Sequence, residues 1–183
     1  MDFIDIEDEL EDVIFTEDQI LAIIDGLAQR IDADYAGRDL LLVGVLKGAA
    51  PFMTDLARAL HARVQLDWMA VTSYGSGTKS SGVVRILKDL DTDITGRHVL
   101  IADEIIDSGL TLSWLKENLE SRHAASVEVC ALLRKPEGAK VDVDAKYVGA
   151  DIPNRFVIGY GLDFAERYRN LRGVGVLAPH VYS

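Results

Sequence analysis

Apolar residues follow two rhythms along this chain. One is the short, largely apolar run: Leu40 to Leu46 (LLLVGVL), Val99 to Ile101 and Ala125 to Leu133. Such runs without strict alternation predict strands of a parallel sheet covered on both faces. The other is a helical spacing. Ile20, Ile23, Ile24, Leu27 and Ile31 follow Thr16 and Gln19, a capping-box pair, and predict a helix that ends near Asp32. Gly37 and Arg38 then turn the chain into the first strand. Phe52, Leu56 and Leu60 predict a second helix, and Leu112, Trp114, Leu115 and Leu119 a third. Val64 to Thr72 predicts a strand of mixed pattern with Val83 to Leu87 as its return. Phe156, Val157, Ile158 and Tyr160 predict another, and Val174 to Leu177 a last one. Strands alternating with helices predict an α/β protein: a mostly parallel central sheet flanked by helices.

Two segments break the pattern. Residues 1–15 are acidic with scattered apolar positions, and partial disorder is expected there. Ser73 to Gly82 (SYGSGTKSSG) carries too little apolar surface to stay ordered by itself and predicts a mobile hairpin loop.

Composition narrows the function. The 183 residues fit a single domain, 49% hydrophobic and 27% charged, with a net charge of −11. That charge argues against a nucleic-acid partner, because such binding rests on Lys and Arg neutralising phosphates. The single cysteine, Cys130, lies in an apolar run and reads as a small buried residue. With no internal disulfide possible, no basic-then-apolar leader in MDFIDIEDELEDV and no apolar stretch of bilayer length, a cytoplasmic protein without a membrane partner is expected. His61, His98, His123 and His180 have no metal-ligand spacing to one another.

The candidate chemistry sits between Ile101 and Leu112. A buried strand leads to Asp103 and Glu104, then to Asp107, Ser108, Gly109, Leu110 and Thr111, and then to a helix. Strand, polar loop and helix start form the crevice in which open α/β folds bind ligands. Ser108, Gly109 and Thr111 offer hydroxyls and backbone N–H groups to a phosphate. The three acids would repel that phosphate unless they face hydroxyls, a proton or a magnesium ion. A ribose 5-phosphate meets both demands. From the residues alone Asp107 also reads as a helix N-cap, Lys47 and Lys135 as solvated cations beside turns, and Phe156 as core.

Asp103 to Thr111, DEIIDSGLT, resembles the 5-phosphoribosyl-1-diphosphate (PRPP) signature of the phosphoribosyltransferases: two acids, two apolar residues, Asp, Ser or Thr, Gly, any residue, Thr. Within them the chain resembles the hypoxanthine-guanine phosphoribosyltransferases, from about the first helix to residue 183. The resemblance implies a type I fold with a core over about residues 35–140. A small hood would come from the N-terminal segment and residues 145–183. It implies transfer of ribose 5-phosphate from PRPP to hypoxanthine or guanine, giving IMP or GMP and diphosphate, with Mg²⁺ as cofactor and a homodimer or homotetramer as the assembly.

Residue by residue, the same resemblance implies that Asp103, Glu104 and Asp107 to Thr111 hold the ribose phosphate, with Asp107 as general acid or base at purine N7. Lys47, Gly48 and Arg169 would take the diphosphate, with the Leu46–Lys47 peptide turned cis. Ser73 and Tyr74 would close over it as a lid. Lys135 would bond the oxygen at purine position 6, Phe156 stack on the base, and Val157 read its edge through backbone groups. Asp103, Glu104 and Asp163 would serve magnesium, Asp163 beside the purine. One departure stands out: the family usually has Val-Glu-Asp where this chain has Ala102-Asp103-Glu104. Reach is redistributed at constant charge, so activity with weaker PRPP affinity is expected. A purine phosphoribosyltransferase preferring xanthine or accepting guanine poorly is one competing reading. A PRPP-binding nucleic-acid regulator is another, and the acidic balance opposes it.

Overall fold

The computed structural model describes residues 1–74 and 83–182. In chain order a 3-10 helix (Phe3–Glu9) leads to β1 (Leu10–Phe15), α1 (Glu17–Asp34), β2 (Leu40–Leu46), α2 (Ala50–Ala59), β3 (Val64–Tyr74) and β4 (Val83–Lys88). There follow β5 (His98–Ile106), α3 (Leu110–Glu120), β6 (Ser126–Arg134), β7 (Tyr147–Asp151), β8 (Val157–Ile158), β9 (Val174–Leu177) and a final turn, α4 (Pro179–Tyr182). Six strands form one sheet in the order β4-β3-β2-β5-β6-β7. Every neighbouring pair is parallel except β3 and β4. The other sheet, β1-β9-β8, is antiparallel and joins residues from both ends of the described chain.

The unbroken run in β2 has a direct physical reading. Successive side chains of a strand point to opposite faces, and here both faces are covered. Leu40 and Leu42 join Ile20, Ile24, Leu27 and Ile31 of α1 and Phe52 and Leu56 of α2 in one core. Leu41, Val43 and Val45 join Leu112, Leu115 and Leu119 of α3 in the other. Each such side chain, withdrawn from water, contributes about 1.5–3 kcal/mol. Helix α1 starts where its capping box places it. Thr16 accepts from the Gln19 backbone N–H, and the Gln19 side chain accepts from the Thr16 N–H.

Three expectations need correction, and one strand was not expected. Residues 1–15 are ordered, because β1 pairs with β9 from Leu10↔Leu177 to Phe15↔Val174 and Arg155 bridges Glu11 and Asp12. These are long-range partners with no local trace. Strand β5 does not stop at Ile101 but runs through both acids to Ile106, because parallel pairing with β6 continues to Arg134. The strand expected at 156–160 shrinks to Val157–Ile158, and Phe156 is 39% exposed rather than core. β7 went unpredicted, a five-residue edge strand with Gly149 packed close to the Leu132 carbonyl. The expected loop at 73–82 lies outside the described residues from 75 onward, while Tyr74 and Ser73 pair with Val83 and Val84 as a hairpin. Among the described residues no helix is long and apolar enough to cross a membrane.

Candidate active site

The carboxyl ends of β2 and β5 open into a cavity of about 510 Å³. Lys47, Gly48, Asp103, Glu104, Asp107, Ser108, Gly109, Thr111, Asp163 and Arg169 all line it, so segments far apart in sequence converge on one space.

The acidic side stands on β5. Alternation sends Asp103 and Glu104 to opposite faces, and both are only partly exposed. Burial, with the neighbouring Glu104 charge added, pushes the Asp103 carboxyl well above its ordinary range. Glu104 reaches toward β2: a Cβ on Gly48 would lie 1.9 Å from its Oε1. Its other oxygen, Oε2, is buried without a hydrogen-bond partner among the described residues. A buried carboxylate oxygen left unmet is costly, so this one is ready for a donor or a cation.

The phosphate-loop expectation acquires a geometry. Gly109 is the N-cap of α3, with φ +78, and a Cβ there would come within 2.6 Å of the Val141 carbonyl oxygen. That left-handed backbone beside a close carbonyl needs glycine. No side chain caps α3, so its first-turn N–H groups are left for an anion to meet. The N-cap reading of Asp107 is thereby overturned. Asp107 instead accepts from Lys135 Nζ at 2.9 Å. Lys135 is itself buried, 7% exposed, and its backbone N–H donates to the Ile106 carbonyl.

The basic side is assembled from β2 and a late loop. The Leu46–Lys47 peptide is cis, and Gly48 packs under Gly161, whose Cβ would meet the Gly48 carbonyl oxygen at 1.9 Å. Arg169 donates to the Gly161 carbonyl at 2.8 Å and pairs with Asp163 and Glu166, each at 2.9 Å. Lys47 pairs with Glu166 at 2.6 Å. Glu166 was missed by the sequence reading. It is a plain surface acid in DFAERYR, and only the fold brings it to Lys47.

The purine-site candidates are less concentrated. Lys135 does not line the cavity itself and touches its wall through its pair with Asp107. Phe156 stands in an aromatic group, edge-on to Phe164 (5.7 Å between centroids) and stacked on Tyr182 at 5.1 Å. Val157 is buried and pairs with Val176. Neither Phe156 nor Val157 lines the cavity, and Leu110 opens α3 without lining it.

Comparison with known proteins gives this geometry a context. Residues 12–165 match the family model of the phosphoribosyl transferase domain. The chain is 56% identical over 180 residues to the hypoxanthine-guanine phosphoribosyltransferase of Mycobacterium tuberculosis, covering 95% of this chain and 89% of that one. It is 49% identical over 178 residues to the enzyme of the same name from Streptococcus agalactiae, covering 97% and 99%. A crystal structure of a hypoxanthine phosphoribosyltransferase from Staphylococcus aureus superposes with a TM-score of 0.94 at 45% identity, covering 97% of each chain. A domain match and relatives this close, spanning nearly the whole length, mean that the chain belongs to the phosphoribosyltransferases and, among them, to the hypoxanthine-guanine family.

Proposed function

We propose that this protein transfers ribose 5-phosphate from PRPP to N9 of hypoxanthine or guanine, yielding IMP or GMP and diphosphate. The observation that carries the reading is the facing of two opposites across one cavity: partly buried acids on β5 and the uncapped start of α3. A sugar phosphate satisfies both, its phosphate at Ser108 to Thr111 and its hydroxyls at Asp103 and Glu104.

The roles follow from the chemistry. Breaking the C1–O bond develops positive charge on the sugar and negative charge on the leaving diphosphate, as in other glycosyl transfers. Lys47 and Arg169 offset the negative charge, with Gly48 allowing the diphosphate close to the backbone. Ser73 and Tyr74, at the end of β3, belong to the segment assigned to closing over the diphosphate and excluding water. Asp107 and Lys135 lie side by side, and so do N7 and O6 on the purine edge. Lys135 donates to O6 and Asp107 handles the proton at N7. Adenine carries a donor where O6 would be, so the same lysine disfavours it. Phe156, partly exposed, offers its ring to the base, and Val157 backbone groups for its edge.

The donors present suit Mg²⁺, which keeps waters and substrate oxygens and needs few protein carboxylates. Asp103 and Glu104, with the unmet Oε2, would hold it, and Asp163 would hold a second ion on releasing Arg169. Bound there, the metal would neutralise diphosphate charge. A cytoplasmic homodimer or homotetramer is part of the same reading, and light scattering that shows only monomer would remove the assembly.

The test is an assay with PRPP and Mg²⁺ against hypoxanthine, guanine and xanthine, following nucleotide and diphosphate together. IMP and GMP are expected. A preference for xanthine would move the protein to the competing specificity, and no nucleotide from any base would overturn the proposal. A thermal-melt series adds an independent check, since IMP, GMP and PRPP–Mg²⁺ should each raise the midpoint by binding the native state.

A further inference from the structure

Two cations of the cavity wall are held by the same carboxylate. Glu166 gives one oxygen to Lys47 Nζ at 2.6 Å and the other to Arg169 at 2.9 Å. Its approach is built into the backbone. Ala165 (φ 51) and Glu166 (φ 63) are successive left-handed residues, and the Glu166 N–H donates to Asp163 at 2.9 Å. Non-glycine residues are uncommon in that region, and the turn they make here brings the acid onto both cations. Lys47 and Arg169 together hold the Glu166 carboxyl below its usual range.

The contact is made to be broken. The Lys47 and Glu166 side chains are 70% and 62% exposed, and an exposed ion pair contributes little net stability. Arg169 has a further need that Glu166 leaves unmet: its Nε is buried without a hydrogen-bond partner among the described residues. A ligand richer in oxygen than one carboxylate can satisfy that donor as well.

We infer that Glu166 is an internal counter-anion, pairing with the diphosphate cations Lys47 and Arg169 and competing with diphosphate for them. This rests on the reading of Lys47 and Arg169 given above. Binding of PRPP then exchanges one anion for another. Glu166 lowers the affinity for PRPP and for released diphosphate alike, and so favours product exit.

Three variants and one inhibition constant decide it. Glu166→Gln keeps the shape and removes the charge. It should tighten diphosphate inhibition and lower the KM for PRPP by roughly fivefold, the scale of one or two exposed pairs. Its diphosphate affinity should also fall more steeply with salt than the wild type's, because no internal anion takes the place of the departing one. Glu166→Asp, still charged, should stay nearer the wild type. If Glu166→Gln binds diphosphate equally or more weakly, with no steeper salt dependence, Glu166 only orders the loop and the inference falls. Lys47→Ala separates the two levels of the argument. Weaker diphosphate inhibition in that variant supports the site assignment whatever Glu166 does, and unchanged inhibition overturns the assignment and the inference together.

Discussion

The acidic wall of the cavity stands on β5, whose residues Val99 to Ala102 are wholly buried between two parallel neighbours. The basic wall rests on Lys47 and on the irregular loop 163–169, where three non-glycine residues, Ala165, Glu166 and Tyr168, have positive φ. The walls differ in how their charges are met. Glu104 keeps a buried oxygen with no hydrogen-bond partner among the described residues. Lys47 and Arg169 are paired with carboxylates of the loop itself, and only the Arg169 Nε, buried like the Glu104 oxygen, keeps no hydrogen-bond partner among the described residues. A wall on a central strand can hold an unmet charge because the sheet cannot relax around it. A wall on a loop relaxes, and its charges find one another. On the proposed roles this is a division of labour: the sugar end of the substrate would meet a fixed surface and the diphosphate end one that exchanges partners.

The largest effect should come from removing the acid that belongs to neither pairing scheme alone. Asp107→Asn is expected to lower kcat by about 10²–10⁴-fold at saturating substrate. A kcat within a factor of three of wild type would take the proton-handling role away from the acidic wall. Next, Gly161→Ala attacks the seam between the walls. Its Cβ would fall 1.9 Å from the Gly48 carbonyl at a φ of +98, and we expect a loss of about 2–4 kcal/mol in denaturant unfolding. Unchanged stability would mean the walls are not packed through these two glycines.

Smaller effects sharpen the contrast. Asp103→Glu/Glu104→Asp restores the family's usual order. Because Glu104 now fills the space over Gly48, the exchange should lower the KM for PRPP by roughly threefold, a change of well under 1.4 kcal/mol, and leave the purine KM alone. An unmoved PRPP KM would show the order of the acids to be neutral. Smallest of all, Tyr168→Phe deletes the hydroxyl that donates to Glu9 and ties the basic loop to the N-terminal 3-10 helix. About 1 kcal/mol of stability should go with it, measured by the urea midpoint, while kcat for the chemical step holds. A large kcat loss would make the loop as fixed as the strand.

Legibility in the sequence followed the same divide. β2, β9, the Thr16 cap and the DEIIDSGLT loop could be read because their signals are local: unbroken apolar runs, a Thr and Gln three apart, Gly and hydroxyls before a helix. Most of the cavity lining came with them. What escaped reading was whatever is made by distant partners. β1 exists through β9 and Arg155, β7 through β6, and the inward turn of Glu166 through Lys47. Strand β5 was read short because two adjacent acids look like a loop, and only its ladder to β6 carries them in extended form. Phe156 was read as core from its residue type, yet Tyr182 and Phe164 cover it only partly.

The pairing of Leu10 with Leu177 also bears on how the molecule comes to exist. A ribosome delivers one partner long before the other, so β1 waits through the making of the whole central sheet as a bare strand edge, the kind of surface on which nascent chains aggregate. Glu11 and Asp12 stand exposed on that strand, and their partner Arg155 is also made late. The acidity that disguised the strand in the sequence also opposes its pairing with like-charged edges of neighbouring chains before β9 arrives. Asp163 and Arg169 follow the last strand of the central sheet, so the newborn chain completes its binding cleft only after that sheet has been made.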